Sequence, residues 1–256
     1  MISVDLAIAE RVRLFCLIPS RRSGVSGRII WSQFVSVYFW VFLWMSSCAL
    51  VSLEQSSWAR TSVSQENVGC HSSDPHHICL GLKYVVYVDP VSANAFLNRQ
   101  EAQNVVGELN SVWRQCNISF QIDQYLAVNP SKFGTSYRTA SYPDLTEIRH
   151  AFGEDKTILV VTTSEWSRDG TLGKSGANAW TSMPGGPPYG TIIERPVGHN
   201  ANLVAHELGH YLNLLHVRDT SDLMNPVIYN YSQTIHGSQC KTARAAALYF
   251  WSPMLR

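Results

Sequence analysis

From residue 82 onward, apolar positions recur at two spacings, every second residue or every three to four, and each change of spacing marks a new element. Leu82, Tyr84, Val85, Val86, Tyr87 and Val88 form a β-branched and aromatic run, which predicts a strand over 82–88. Asn98 with Glu101 three residues later has the spacing of a capping box. It opens a helix whose apolar stripe is Val105, Val106, Leu109, Val112 and Trp113. Ile118, Phe120 and Ile122 alternate as a second strand; a polar stretch follows, then a short helix over 144–152. Residues 157–162 read as a buried strand. Two more short strands, 176–182 and 190–194, flank a loop forced by Pro184, Gly185, Gly186, Pro187 and Pro188. Leu203, Val204, Leu208, Tyr211 and Leu212 give a helical stripe, with no proline between 200 and 216. Over 233–250, Ile235, Ala243, Ala246, Ala247 and Leu248 return at helical spacing, and Gly237 leaves the start of that helix open. Strands interleaved with helices predict an α/β (α+β) layout.

Ahead of this pattern the chain behaves differently. Residues 29–53 contain no charged side chain, and Arg21, Arg22 and Arg28 precede them. A positive flank before an apolar run is the pattern of a secretory signal, or of a membrane anchor with its N-terminus inside. Twenty-five uncharged residues are long enough to span. The densest part, 34–45, has the length of a signal core, and 57–59 offers a small-residue cleavage site. Either way residues 1–59 read as a targeting segment. Residues 60–81, polar and Ser-rich at first, read as a linker or short pro-like segment ahead of a catalytic domain at 82–256. Membrane contact is expected only through the apolar segment.

Charge and cysteine content narrow the picture further. A formal net charge of +1 provides no footprint for nucleic acid. Cys16 and Cys48 fall in or before the apolar run, leaving Cys70, Cys79, Cys116 and Cys240, an even number suited to an oxidising compartment. Of the three pairings four cysteines allow, Cys70–Cys79 as a local loop and Cys116–Cys240 as a staple between two helices are favoured. Both features place the domain in a secreted or extracytoplasmic setting. His71, His76 and His77 cluster near Asp74, where a solvated loop is the commoner meaning than a metal site.

The chemistry is concentrated between His206 and Pro226. His206 and His210 lie four apart on a predicted helix, so both imidazoles reach one metal ion. Glu207, directly after the first, can point at a water on that ion. His216, six residues past His210, completes three nitrogen ligands and leaves one position open, the coordination of a catalytic rather than a structural zinc.

The stretch His206-Glu-Leu-Gly-His210-Tyr-Leu-Asn213-Leu-Leu-His216, with Met224 in Ser-Asp-Leu-Met-Asn-Pro, resembles the metzincin clan of zinc endopeptidases. Their signature carries glycine where this chain has Asn213. The chain must turn sharply there through a left-handed residue, which asparagine tolerates next best after glycine. The resemblance implies a metzincin-like catalytic domain: a mixed twisted sheet, an active-site helix and a small C-terminal subdomain with a Met turn and C-terminal helix. It implies one catalytic Zn²⁺ on His206, His210 and His216, with Glu207 as general base. It also implies an apolar floor from Met224, a turn fixed by Pro226, and an edge strand over Ala177, Asn178, Ala179 and Trp180 that pairs with extended substrate. Tyr229 and Tyr231 lie near, but not at, the spacing of a tyrosine that several clan members place after the Met, and read as packing or surface residues. Some pro-segments of the clan carry an inhibitory thiolate, but the surroundings of Cys70 do not match that pattern.

A protein or peptide substrate is therefore expected, on a monomeric enzyme. Two rivals stay open: an exported zinc hydrolase acting on something other than protein, and a catalytically silent metal-binding or toxin-like protein. The presence of Glu207 argues against the second. Val217, after the third histidine, assigns no subfamily. Calcium stays an open question, although no Asp-rich loop asks for it.

Overall fold

Two kinds of surface meet in the computed structural model, which describes residues 70 and 72–256: a five-stranded sheet and helices covering both its faces. The elements run β1 (Ile78–Tyr87), α1 (Arg99–Trp113), β2 (Ile118–Val128), α2 (Tyr142–Phe152), β3 (Ile158–Thr162), α3 (Thr171–Ser175), β4 (Ala179–Thr181), β5 (Thr191–Ile193), α4 (Ala201–Tyr211) and α5 (Gly237–Phe250). The targeting segment expected over 1–59, and residues 60–69 and 71, lie outside the described residues. Among the described residues no helix is long and apolar enough to cross a membrane.

Strand order is β2-β1-β3-β5-β4. The first four strands are parallel neighbours, and β4 alone runs antiparallel, against β5. Parallel strands need covered faces, and the side chains divide accordingly. Leu80, Leu82, Tyr84 and Val86 of β1, with Ile158, Val160 and Ile193, pack with α1, α4 and α5. Val85, Tyr87, Leu159, Val161 and Ile192 pack with α2 on the other face. This three-layer α/β arrangement is the expected fold class, and it puts α4 against the end of the sheet that β4 closes.

The helix starts are physically explicit. Asn98 Oδ1 accepts from the Glu101 amide at 3.0 Å and Glu101 Oε2 accepts from the Asn98 amide at 2.7 Å, a reciprocal capping box for α1. Asn200 caps α4 through the Leu203 amide at 3.1 Å. β1 begins at Ile78, four residues ahead of the alternating run, because Gly81 interrupts the pattern. A Cβ at Gly81 would lie 2.1 Å from Asp123 Oδ2 and 2.4 Å from Arg256 Nη2, so the bare backbone is what lets two side chains cross the strand there. β2 likewise runs on to Val128 through residues that the alternation leaves as a polar stretch. It is an edge strand, so exposed Asp123 and Gln124 cost little there.

The sulfur atoms of Cys116 and Cys240 are 2.02 Å apart, joining the turn after α1 to α5, and Cys70 meets Cys79 at the start of β1 with Cα atoms 5.1 Å apart.

Candidate metal centre and cleft

Three histidine side chains converge where α4 ends. His206 and His210 share one face of the helix, and the chain returns His216 to them through a tight C-cap. Asn213 has φ of 66°, the left-handed conformation. Its amide donates to the His210 carbonyl and the Leu214 amide to the Gly209 carbonyl, both at 2.9 Å. That is a Schellman closure with asparagine in the glycine position. The same turn presents the Leu214 carbonyl to His210 Nδ1 at 2.8 Å. One left-handed residue thus ends the helix, redirects the chain toward His216 and orients the His210 ring. Asn213→Val should lose about 1–2 kcal/mol in urea unfolding, since a β-branched residue resists positive φ, while Asn213→Gly should keep wild-type stability.

The Met turn orients the other helical ring, with the Leu223 carbonyl 2.7 Å from His206 Nδ1. With a carbonyl at each Nδ1, the hydrogen of His206 and of His210 sits on that nitrogen and each Nε2 presents a bare lone pair. Those two Nε2 atoms stand 3.3 and 3.0 Å from His216 Nε2. Two nitrogens on one tetrahedral ion at ordinary zinc–nitrogen bond lengths are about 3.3 Å apart. The three Nε2 atoms thus stand at the spacing of ligands around one ion, and with His216 Nε2 also unprotonated the donor set fits a divalent metal. Burial lowers the basicity of all three, to about 3 for His206 and about 4 for His210, which keeps the rings neutral and able to ligate. Among the described residues this is the only His, Cys, Asp and Glu group compact enough to hold an ion. The His76–His77 loop is not one: His77 spends both ring nitrogens on Asn117 and Ser119.

Met224 is buried beneath α4 and is not among the converging donors. A Cβ on Gly209 would lie 2.4 Å from its sulfur, so the glycine between the two helical histidines is the gap that admits the thioether. The turn is held by Asp222, wholly buried, whose Oδ1 accepts from the Met224 amide at 2.7 Å and from Gln239 Nε2 at 3.0 Å. Pro226 lines the cleft beside Val227 and Ile228. Tyr229 and Tyr231 stack on each other, centroids 5.2 Å apart, at the surface and outside the cleft lining.

The cleft has a volume of about 570 Å³. One wall is the segment 176–181, the other the Met-turn side, and the three histidines and Glu207 form its base. Ala177, Asn178, Ala179 and Trp180 all line it, and β4 is the sheet's edge. The Asn178 carbonyl accepts from the Glu194 amide at 2.8 Å, and the Ser182 amide donates to the Gly190 carbonyl at 3.3 Å. Alternation in an antiparallel pair then turns the backbone groups of Ala179 and Thr181 away from β5, toward the open edge.

Glu207 is buried and its Oε2 accepts from the Thr181 hydroxyl at 2.5 Å. Burial pushes its carboxyl up to about 7, against the Thr181 hydrogen bond and the Arg149 charge, which both favour the ionised form. Arg149 is a buried cation that sequence reasoning leaves out. From α2 it donates through Nε to the Gly190 carbonyl at 2.9 Å and through Nη2 to the Trp180 carbonyl at 2.8 Å, tying both ends of the β4–β5 loop to the helix. Thr181 is the other contact missed, because only the strand register reveals it.

No family model and no curated protein matches this chain. Among solved structures, it is similar to metalloproteinase-II from Bacteroides fragilis, with 13% identity and a TM-score of 0.44, over 69% of this chain and 55% of that one. It is also similar to a chain in the structure of a chaperone–substrate complex, with 14% identity and a TM-score of 0.43, over 68% of this chain and 35% of that one. The chain therefore spans about a third to a half of the length of these proteins.

Proposed function

We propose that residues 82–256 are a zinc-dependent endopeptidase domain of metzincin type, working outside the cytoplasm as a monomer. The observation that carries the reading is the convergence of three neutral Nε2 atoms beside a buried carboxylate, at the base of a cleft walled by a free strand edge. His206, His210 and His216 would hold the ion, with the carbonyls of Leu223 and Leu214 fixing two of the rings. A bound zinc ion supplies Lewis acidity, acidifying water and polarising a carbonyl.

The chain's own residues supply the rest. Among the described residues no group donates to Glu207 Oε1, so that oxygen is free to take the proton of the attacking water and return it to the leaving amine. A dication a few ångströms away would favour the carboxylate, offsetting the effect of burial. Ala179 and Thr181 offer backbone donors and acceptors to an extended peptide, which would add itself as the next strand. Among the described residues the cleft lining carries no acidic side chain apart from Glu207 and no Lys or Arg, which suits an uncharged stretch of substrate. Two cysteine pairs at disulfide distance support an oxidising compartment.

The test is direct. The full chain, purified from an oxidising host, should contain one zinc per molecule and cut denatured casein or a quenched peptide library, with cutting lost on chelation and restored by zinc. Zinc without cleavage would favour a hydrolase of another substrate or a silent metal protein; a metal-free protein would end the reading. Edge pairing has its own check. Ala179→Pro removes one outward amide and leaves the β5-facing bonds, so KM for long peptides should rise about tenfold, the worth of one such hydrogen bond, while short substrates are cut as before.

A further inference from the structure

We infer that Thr181 is a positioning residue for Glu207: its hydroxyl, held in turn by Thr191, pins one carboxylate oxygen to the sheet edge and leaves the other turned to the cleft. The inference rests on the peptidase reading above and deepens it.

Thr181 and Thr191 are register partners in the antiparallel β4–β5 pair. The bonds at Asn178–Glu194 and Ser182–Gly190 make Thr181–Thr191 a pair without mutual backbone bonds, the kind in which side chains stand closest. Their hydroxyl oxygens are 2.9 Å apart. Each hydroxyl has one proton, and the Thr181 proton goes to Glu207 Oε2. Thr191 must therefore donate to Thr181, so both protons point in one direction, toward the carboxylate. Thr191 is wholly buried and both side chains are β-branched and stiff, so the relay has little freedom to reorient. Glutamate, by contrast, has three rotatable bonds beside a 570 Å³ cleft, and the hydroxyl is what restrains its carboxylate. Thr181 also faces the cleft with its own backbone. The same residue therefore meets an edge-paired ligand through its main chain and the base through its side chain.

Thr181→Val keeps the shape and the strand preference and removes only the hydroxyl. In the zinc-loaded full chain it should lower kcat about 10- to 100-fold, the usual cost of a mispositioned reacting group, with KM and zinc content unchanged. Thr181→Ser should recover most of the loss. Thr191→Val should cost less, and the double Val variant no more than Thr181→Val alone. A second readout needs no metal and no turnover. In zinc-free full chain labelled with ¹³C at glutamate carboxyls, the Glu207 resonance (identified by its absence in Glu207→Gln) should move in Thr181→Val and return in Thr181→Ser. Wild-type kcat in Thr181→Val, a raised KM at constant kcat, or an unmoved carboxyl resonance would each overturn the inference. If the wild-type chain cuts no peptide, the peptidase reading fails, and the carboxyl resonance still decides whether Thr181 holds Glu207.

Discussion

Glu207→Gln should cost about 10²- to 10⁴-fold in kcat/KM and leave the zinc content at one per chain, because the substitution removes a proton acceptor and none of the ligands. The amide is nearly the size of the carboxylate and can still accept from the Thr181 hydroxyl through its carbonyl oxygen, so α4 and β4 stay joined. Metal analysis and peptide cleavage on the same preparation make the separation. A drop smaller than tenfold would mean that Glu207 is not the base, and among the described residues no other carboxylate lines the cleft to replace it. Loss of zinc together with activity would mean that Glu207 supports the metal instead.

The largest effect on stability should come from Cys116 and Cys240. They close a loop of sequence separation 124, for which chain-entropy arguments give about 4–5 kcal/mol. Replacing both with serine should lower the stability read from urea unfolding by nearly that amount, a large part of the total for a domain of this size. The Cys70–Cys79 pair closes a separation of nine, and its removal should cost about 2.5 kcal/mol. Equal urea midpoints for wild type and the Cys116/Cys240 variant would show that these two thiols are not bonded in the folded protein.

The metal ligands and the buried polar groups that support them differ in how legible they are in the sequence. His206 and His210 are legible because helical periodicity converts a spacing of four into one face, and Asn213 because few residues accept positive φ. The capping box at Asn98 and Glu101 is legible for the same local reason. Thr181 and Thr191 are ten residues apart across a proline-rich loop, and their meeting depends on a register that no local spacing encodes. Arg149 sits three residues from the end of α2, where a charged side chain reads as solvated; it is buried because it reaches the Trp180 and Gly190 carbonyls on the two sides of the β4–β5 connection. Asp222 is hidden likewise, since its partners Met224 and Gln239 come from a turn and from the later helix. Local chemistry reads out of the sequence; polar groups buried by the meeting of distant elements do not.

The last residues carry a consequence for the order in which the fold can be completed. The Arg256 amide donates to the Cys79 carbonyl at 3.0 Å, Leu255 bridges to Leu80, and Arg244 Nη2 reaches the His76 carbonyl at 2.6 Å. β1, the earliest described strand, is thus finished by residues 244–256. A nascent polypeptide that has emerged only as far as the Met turn already holds His206, His210 and His216, but lacks Gln239 against Asp222, the partner of Cys116 and the cover on β1. Contacts at such separations form late, after most of the chain is available. The three histidines are thus made before the residues that buttress Asp222 and Cys116.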